Sequence, residues 1–205
     1  MIAVHDLGAR VPGFTLSGAT FSVPAGRVGV VTGPTGAGKT TLLETIAGVR
    51  RAAAGRVTLD GRDVTALPPE ERAVGLVYQS GWLFPHLDVR RNVCYGSTDP
   101  ALASALIDLL HIAPLLAKPV AMLSGGERQL VALARAMARA PRTLLLDEPF
   151  AAMDGALRAA VRSSVLQWAA ARGVTTLLVT HDLQEAALDG SLALQLRDGV
   201  LLAAG

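Results

Sequence analysis

The chain has 205 residues, 51% of them hydrophobic, and a formal net charge of +2 at pH 7. This size and composition predict one folded domain with an ample core and exclude a disordered chain. The positive residues are mostly arginines scattered among carboxylates, so no basic stripe indicates a nucleic-acid ligand.

Two further absences narrow the class of protein. The only cysteine, Cys94, excludes an internal disulfide, and we expect it to be a small buried residue in a reducing compartment. No uncharged run is long enough to cross a bilayer, and the N-terminus has no signal-peptide pattern. The sequence therefore predicts a soluble protein, which would work on a membrane only through partners.

The first 32 residues predict β structure. Short apolar stretches divided by Pro12-Gly13, Gly18 and Pro24–Gly26 are typical of antiparallel strands and turns. The apolar run from Arg27 to Thr32 then suits a buried parallel strand.

A glycine-rich loop follows this strand and leads into helix-forming residues that end at Gly48. The segment fits the phosphate-binding pattern G-x-x-x-x-G-K-[ST], in which backbone N–H groups surround a polyphosphate, the lysine adds a positive charge and the threonine hydroxyl completes a Mg²⁺ shell. The helix start adds a partial positive charge. The predicted nucleotide-binding residues are Gly33, Pro34, Thr35, Gly36, Ala37, Gly38, Lys39, Thr40 and Thr41.

The residue composition changes in the middle of the chain. Two more strands are predicted at Gly55–Gly61 and Ala73–Tyr78. Proline and glycine residues interrupt the stretch from Ser80 to Met122, and Ala101–Leu110 has the composition of a helix. Together these features predict a helical insert.

The last third alternates helix and strand, which implies a parallel sheet covered on both faces. No repeat or linker divides the chain, so we predict a single α/β domain over residues 1–205. The predicted elements are helix Glu127–Arg139, strand Thr143–Asp147, helix Asp154–Arg172, strand Val174–Thr180, helix Asp182–Leu188 and a hairpin at Asp198-Gly199.

Two carboxylates, Asp147 and Glu148, end the apolar strand that begins at Thr143. The carboxyl ends of strands in open α/β sheets face the ligand crevice. Asp147 could hold Mg²⁺ through water, and Glu148 could polarise an attacking water. Taken alone, an acidic surface turn would give the same pattern; the phosphate-binding loop favours the metal-binding interpretation.

A second anion site is predicted at the start of the helix that follows Leu123. Ser124 is a suitable N-cap, and Gly125 and Gly126 leave backbone N–H groups accessible at the positive helix end. An ordinary capped helix is the alternative. The chain thus has two anion sites but sequence for only one complete nucleotide pocket.

The order of these motifs, a phosphate-binding loop, then LSGGERQ at Leu123–Gln129, then LLLDEP at Leu144–Pro149, resembles the ATP-binding cassette (ABC) family over nearly the whole chain. The resemblance implies a P-loop NTPase cassette with a mostly parallel core sheet, an antiparallel β subdomain and a helical subdomain at about residues 80–140. It also implies ATP and Mg²⁺ as ligands and ATP hydrolysis as the reaction.

The resemblance assigns roles to residues that would be ordinary polar residues if taken alone. It makes Gln79 the glutamine that touches Mg²⁺, Asp154 an interface aspartate and His181 a contact to the γ-phosphate. The implied catalytic residues are Lys39, Gln79, Glu148 and His181; the implied metal ligands are Thr40, Gln79 and Asp147; and the implied nucleotide contacts across a dimer are Ser124, Gly125, Gly126, Glu127, Gln129 and Asp154.

In the family two cassettes pair head to tail, so the Ser124 helix of one copy would cover the ATP held by the other. This explains the second anion site and implies a homodimer. Two departures are visible. The family's adenine-stacking aromatic would fall near Arg10 and Val11, with Phe14 the closest aromatic, and Ala151 stands where a serine is usual.

The stretches Leu67–Gly75 and Tyr78–Val93 are similar to those of bacterial importer ATPases, the nearest likeness being the molybdate and related oxyanion group. This resemblance implies a cytoplasmic subunit held at the membrane by transmembrane permease subunits, with a substrate-binding protein as a further partner. The apolar residues Trp82, Leu83, Phe84 and Pro85 would receive the permease or belong to a core. The short tail after His181 predicts that no regulatory domain follows.

Two other classes stay open at this point. An exporter-type cassette for haem or lipid is disfavoured by the Leu83–His86 stretch. A soluble cassette of DNA repair or translation would need a long heptad-rich insertion or a second cassette, and the sequence has neither.

Overall fold

The computed structural model describes residues 1–182 and 190–203. The strands are β1 (Ile2–Val11), β2 (Phe14–Val23), β3 (Val28–Thr32), β4 (Ala54–Leu59), β5 (Arg62–Asp63), β6 (Val74–Val77), β7 (Thr143–Asp147), β8 (Thr175–Thr180), β9 (Leu192–Arg197) and β10 (Val200–Ala203). The α-helices are α1 (Lys39–Ala47), α2 (Val89–Cys94), α3 (Pro100–Leu109), α4 (Gly125–Ala138) and α5 (Gly155–Ala171).

The chain forms two compact units. The first comprises Met1–Val74, Arg142–Asp147 and Ala169–Gly205, and the second comprises Gly75–Pro141 and Glu148–Trp168. The helical segment predicted at 80–140 thus falls in the second unit, which also takes in the 21 residues that follow Asp147.

A mixed sheet forms the first unit, with strands in the order β5-β4-β1-β2-β10-β9-β3-β8-β7. β3 pairs in parallel with β8 and β9, and β7 pairs in parallel with β8. Every residue of β7 and β8 is buried, as expected for apolar strands that are covered on both faces. The predicted α/β fold with a parallel core and an antiparallel part is confirmed.

The antiparallel part differs from prediction in one respect. Gly18 does not end a strand but lies inside β2 in a left-handed conformation, with φ 62°. Relative to regular antiparallel pairing, β1 has one extra residue around Asp6 (φ 46°) and β2 has one extra residue around Gly18. The bulge at Asp6 keeps Val4 and Leu7 both buried, although strict alternation would place them on opposite faces, and the bulge at Gly18 restores the register between the two strands.

The second unit is built around α4, whose apolar stripe at helical spacing buries Leu130, Leu133 and Met137. The short helix α2 was not predicted; the Asp88 carboxylate caps it by accepting a hydrogen bond from the Arg91 N–H at 2.7 Å. At its end Cys94 is exposed, so the expectation of a buried cysteine was wrong.

Asn92, fully buried in α2, fixes the chain that precedes it. Its Oδ1 accepts a hydrogen bond from the Phe84 N–H at 2.9 Å, and its Nδ2 lies 3.0–3.2 Å from the carbonyl oxygens of Phe84, Leu87 and Asp88. The segment from Phe84 to Asp88 therefore has a defined backbone path although it lacks regular secondary structure.

The C-terminal hairpin predicted at Asp198-Gly199 is confirmed, because β9 and β10 pair antiparallel on either side of it. Both turn residues have positive φ, as a tight hairpin turn demands. The predicted helix Asp182–Leu188 lies, after Asp182, outside the described residues. Within residues 1–182 and 190–203, no helix is long and apolar enough to span a membrane.

Candidate nucleotide-binding and hydrolysis site

The glycine-rich loop joins β3 to α1, which is the strand-loop-helix context that the motif needs. Gly38 precedes the helix with φ 98°, and a Cβ there would lie 2.3 Å from Cζ of Phe14. A Cβ at Gly33 would lie 2.1 Å from the Leu196 carbonyl oxygen. Glycine is thus required at both positions by close packing as well as by backbone conformation.

Phe14 is the aromatic residue that the structure brings to this loop. Its ring contacts the Gly38 position at the start of α1, whereas Arg10 and Val11 pair with Thr15 and Phe14 in the β1–β2 hairpin. Phe14 is half-buried and so offers part of its ring surface to a ligand.

Lys39 opens α1 and is buried, with 7% of its surface exposed. Its ammonium donates hydrogen bonds to the carbonyl oxygens of Gly33 at 2.8 Å and Pro34 at 3.1 Å. The positive charge is therefore held inside the loop that precedes it, where the phosphates of a nucleotide would lie.

Thr40 and Asp147 meet within the first unit. The Thr40 hydroxyl donates a hydrogen bond of 2.6 Å to Oδ2 of Asp147, which is buried at the carboxyl end of β7. A hydroxyl and a carboxylate are hard oxygen ligands of the kind Mg²⁺ prefers. No cluster of three or more histidine, cysteine or acidic side chains occurs among the described residues, so a cation here would need phosphate oxygens and water as further ligands.

Gln79 and Glu148 meet within the second unit. The Gln79 amide donates a hydrogen bond of 3.1 Å to Oε2 of Glu148. Glu148 itself has a left-handed backbone with φ 45°, which is uncommon outside glycine and is concentrated at functional sites. Two of the four residues that the resemblance assigns to the reaction, Gln79 and Glu148, are thus side by side.

The Ser124 helix start has a complete capping box. The Ser124 hydroxyl accepts a hydrogen bond from the Glu127 N–H at 3.2 Å, and the Glu127 carboxylate accepts one from the Ser124 N–H at 2.8 Å. The Lys118 ammonium lies 3.2 Å from the same carboxylate. Together the Ser124 N–H and Lys118 hold the pKa of Glu127 below its usual value, so it stays ionised.

Gly126 and Gln129, both predicted to contact a nucleotide across a dimer, have different surroundings in the structure. A Cβ at Gly126 would lie 3.1 Å from the Ala152 carbonyl oxygen, so the small residue lets the Ala151–Asp154 turn approach closely. Gln129 is buried, with 1% exposed, and donates a hydrogen bond of 3.1 Å to the Tyr78 carbonyl oxygen. Its side chain packs inside the second unit, whereas Ser124 is exposed and Glu127 half-buried.

Asp154 and His181 complete the predicted set. Asp154 caps α5 by accepting a hydrogen bond from the Leu157 N–H at 3.0 Å. His181 is exposed and directly follows β8, where the Thr180 hydroxyl accepts a hydrogen bond from the Asp182 N–H at 2.9 Å. Ala151 brings no hydroxyl to the turn before Asp154.

One contact of this site was missed at the level of sequence. Lys118 pairs with Glu127, but the segment between them includes a 3-10 turn at Val120–Met122, so no fixed spacing predicts the pair. The signal available was that Lys118 is the chain's only lysine besides Lys39.

A groove of about 260 Å³ lies beside Trp82 on the second unit. Trp82, 65% exposed and stacked at 4.8 Å on Tyr78, forms part of its wall together with Leu83 and Pro85. Phe84 instead packs against Tyr95, with the Arg135 guanidinium 5.0 Å above its ring. Three of the four apolar residues singled out in the sequence therefore line the groove, and Phe84 does not.

This fold and these motifs agree with the comparison to known families. Residues 16–151 match the family model described as ABC transporter. The chain belongs to the ABC transporter family as an ATP-binding cassette, a class of ATPases.

Several curated import proteins are similar to the chain. It is 42% identical to the Fe(3+) ions import ATP-binding protein FbpC of Pseudomonas fluorescens, covering 99% of this chain and 60% of that protein. It is 42% identical to the sulfate/thiosulfate import ATP-binding protein CysA 2 of Chromobacterium violaceum, over 90% of this chain and 55% of that protein. It is 40% identical to the molybdate/tungstate import ATP-binding protein WtpC of Thermococcus kodakarensis, over 98% of this chain and 62% of that protein. The chain thus spans a little over half the length of these relatives.

Solved structures share the fold. A dimeric, post-hydrolysis ATP-binding cassette bound to ADP and Pi superposes with a TM-score of 0.87 at 24% identity, covering 98% of this chain and 96% of the other. A nucleotide-free ATP-binding cassette from an ABC transporter superposes with a TM-score of 0.85 at 25% identity, covering 100% of this chain and 90% of the other.

Proposed function

We propose that the chain is the ATP-hydrolysing subunit of a bacterial-type importer, and that two copies close around ATP to energise a membrane permease. The observation that carries this proposal is the presence in one chain of two complementary anion sites: the Lys39 loop with its Thr40–Asp147 pair, and the capped helix start at Ser124. One site is suited to hold a nucleotide, and the other is suited to cover a nucleotide held by a second copy.

In the nucleotide-binding half, the backbone N–H groups of the Gly33–Thr41 loop and the Lys39 ammonium bind the phosphates. Thr40 and Asp147 would hold Mg²⁺, with Gln79 as a further ligand, and the ion offsets phosphate charge when it is bound. Phe14 supplies the aromatic surface for adenine, because its ring already lies against the loop.

In the hydrolysis step, Glu148 accepts a hydrogen bond from the attacking water and orients it, and His181 donates to the γ-phosphate. The Gln79 amide, at 3.1 Å, fixes the Glu148 carboxylate in direction. Release of phosphate removes charge from the shared interface, so the facing helix ends lose their common counter-charge and the dimer opens.

In the second copy, the contacts to ATP come from Ser124, Gly125, Gly126 and Glu127, with Asp154 at the interface. Gln129 supports these residues from inside the second unit through its bond to Tyr78. The cargo is an inorganic ion such as molybdate or another oxyanion; the relatives named above import Fe(3+), sulfate or thiosulfate, and molybdate or tungstate. A substrate-binding protein would deliver it, and the cassette would lie on the cytoplasmic face of the membrane.

ATP hydrolysis by the purified chain tests the proposal directly. We expect phosphate release that requires Mg²⁺ and stops when EDTA removes the metal. The reason is that the Thr40 hydroxyl and the Asp147 carboxylate would act on ATP only through the metal ion that they hold. Phosphate release measured with and without EDTA is the readout. Hydrolysis that EDTA leaves unchanged, or no hydrolysis with Mg²⁺ present, would contradict the proposed function.

The groove beside Trp82 is the proposed contact with the permease. Trp82→Ala should reduce recovery of the permease with the cassette from solubilised membranes by about tenfold, since a large exposed aromatic is the usual anchor of an interface. The matched control is Val200→Ala, which removes an exposed apolar residue of the first unit outside the groove. Equal recovery with both variants would place the permease elsewhere.

A further inference from the structure

A second cavity lies in the first unit, away from the nucleotide loop. It has a volume of about 560 Å³ and forms where the chain leaves α1 and where the segment after β5 returns past it. Its lining includes Val49, Arg51, Leu67 and Arg72. Volumes of this size are typical of sites for small molecules.

Arg72 is the unusual member of this lining because it is a buried cation, with 6% of its surface exposed. Its guanidinium donates to the carbonyl oxygens of Thr45 at 3.0 Å, Ile46 at 2.9 Å, Thr65 at 3.0 Å and Leu67 at 2.9 Å. These bonds use four of the five N–H donors of a guanidinium and leave one on Nη2.

All four acceptors are uncharged carbonyl oxygens. Burial lowers the pKa of Arg72 and the charge of Asp63 partly offsets this, but a guanidinium keeps its proton in proteins. Within the described part of the chain no carboxylate lies at ion-pair distance from Arg72, so the buried charge lacks the anionic partner that buried charges usually have.

Arg51 adds a second positive charge to the lining. Its neighbour Arg50 is neutralised by Glu44 at 2.7 Å, whereas Arg51 is exposed and has no carboxylate partner among the described residues. The lining contains no acidic residue. Asp63, the nearest acid that acts on Arg72, is exposed and engaged by Thr65 at 2.6 Å and Arg56 at 3.2 Å.

The rest of the lining is mostly apolar. Val49 is exposed, and Leu67, Pro68 and Pro69 add a run of three consecutive apolar residues to the walls. A ligand that matches this cavity therefore carries a negative group for the two arginines and a compact apolar body for the other walls.

We propose that this cavity binds a small organic anion, a compound with one carboxylate group attached to an apolar body. The carboxylate bonds Arg51 and the remaining N–H of Arg72, and the apolar body packs on Val49, Leu67 and Pro68. The site is separate from the nucleotide phosphates, because Arg72 bonds the carbonyl end of α1 and the phosphates belong at its Lys39 end.

The probe is benzoate, titrated into the full chain without nucleotide and followed by the backbone amide signals of Gly48, Val49 and Ala66 in NMR spectra. Benzamide, of the same shape without charge, and inorganic phosphate, charged without an apolar body, are the comparison ligands. We expect saturable shifts at these amides with benzoate, and at least tenfold weaker binding of the other two. Absent shifts with benzoate, or equal binding of benzamide or of phosphate, would overturn the proposal.

Arg51→Gln supplies the test in the protein, since Arg51 is exposed and its replacement should leave the fold intact. The variant should bind benzoate about tenfold more weakly, which corresponds to about 1.4 kcal/mol. Arg62→Gln, which removes an exposed arginine outside the lining, is the matched control and should bind as the unaltered chain does. Unchanged affinity in Arg51→Gln, or an equal loss in both variants, would refute the site.

Discussion

Replacing Glu148 with glutamine should lower the rate of ATP hydrolysis by about 100-fold or more, because general-base assistance contributes roughly 10²–10⁴-fold to a rate. The substitution removes the basic oxygen but keeps a side chain of the same shape. A glutamine carbonyl can still accept the hydrogen bond that Gln79 donates at 3.1 Å, so the local geometry should survive. Phosphate release at saturating ATP and Mg²⁺ measures the effect.

The same variant should accumulate as an ATP-bound dimer, because closure would no longer be followed by hydrolysis. Size-exclusion chromatography with ATP and Mg²⁺ reports this directly. Glu71→Gln, the same change at an exposed residue, is the matched control and should hydrolyse ATP normally without accumulating as a dimer. If Glu148→Gln hydrolysed ATP at the normal rate, the role given to Glu148 would be wrong; if it ran only as a monomer, the head-to-tail pairing would be wrong.

Lys39→Ala should weaken ATP binding by roughly 10- to 100-fold, since hydrogen bonds to a charged group contribute about 1.5–3 kcal/mol. Lys39 is buried in the loop and its ammonium already bonds two backbone oxygens there, so no other side chain of the loop can replace its charge. Titration of the monomer with ATP in the absence of Mg²⁺ isolates this effect from hydrolysis and dimerisation.

Lys118→Ala is the natural control for this experiment, because it removes the chain's only other lysine. Lys118 pairs with Glu127 at the Ser124 helix start and should not affect nucleotide binding by one copy. Thermal unfolding of both variants shows whether the fold is retained. An unchanged dissociation constant in a folded Lys39→Ala protein would remove the loop from the proposed site.

The sequence was sufficient where a function depends on residues close together in the chain. The β3–loop–α1 segment could be predicted because glycine spacing, the apolar strand and the helix formers all lie within about 20 residues. The carboxylates after β7 could be found for the same reason, since Asp147 and Glu148 directly follow four residues of a buried strand. The family pattern added the order of the motifs along the chain.

What the sequence could not provide depends on backbone conformation and on distant partners. Two bulges shift the alternation of β1 and β2, and neither Asp6 nor Gly18 signals which strand gains a residue. The hydrogen bonds of Asn92 reach back eight residues to a segment without regular structure. Gln129 is a different case, because it lies four residues before Leu133 and therefore on the same buried face of α4. This spacing by itself favours an interior position for Gln129.

The bonds from Lys39 to the carbonyl oxygens of Gly33 and Pro34 have a consequence for the energetics of ligand entry. A phosphate that reaches the ammonium exchanges one set of oxygen partners for another, so the lysine neither gains many bonds nor has to be desolvated at that moment. The loop loses most of its conformational entropy when the protein folds, before any nucleotide arrives. The contribution of Lys39 to affinity is thus determined chiefly by how much better a phosphate oxygen is than a peptide oxygen as a partner for its positive charge.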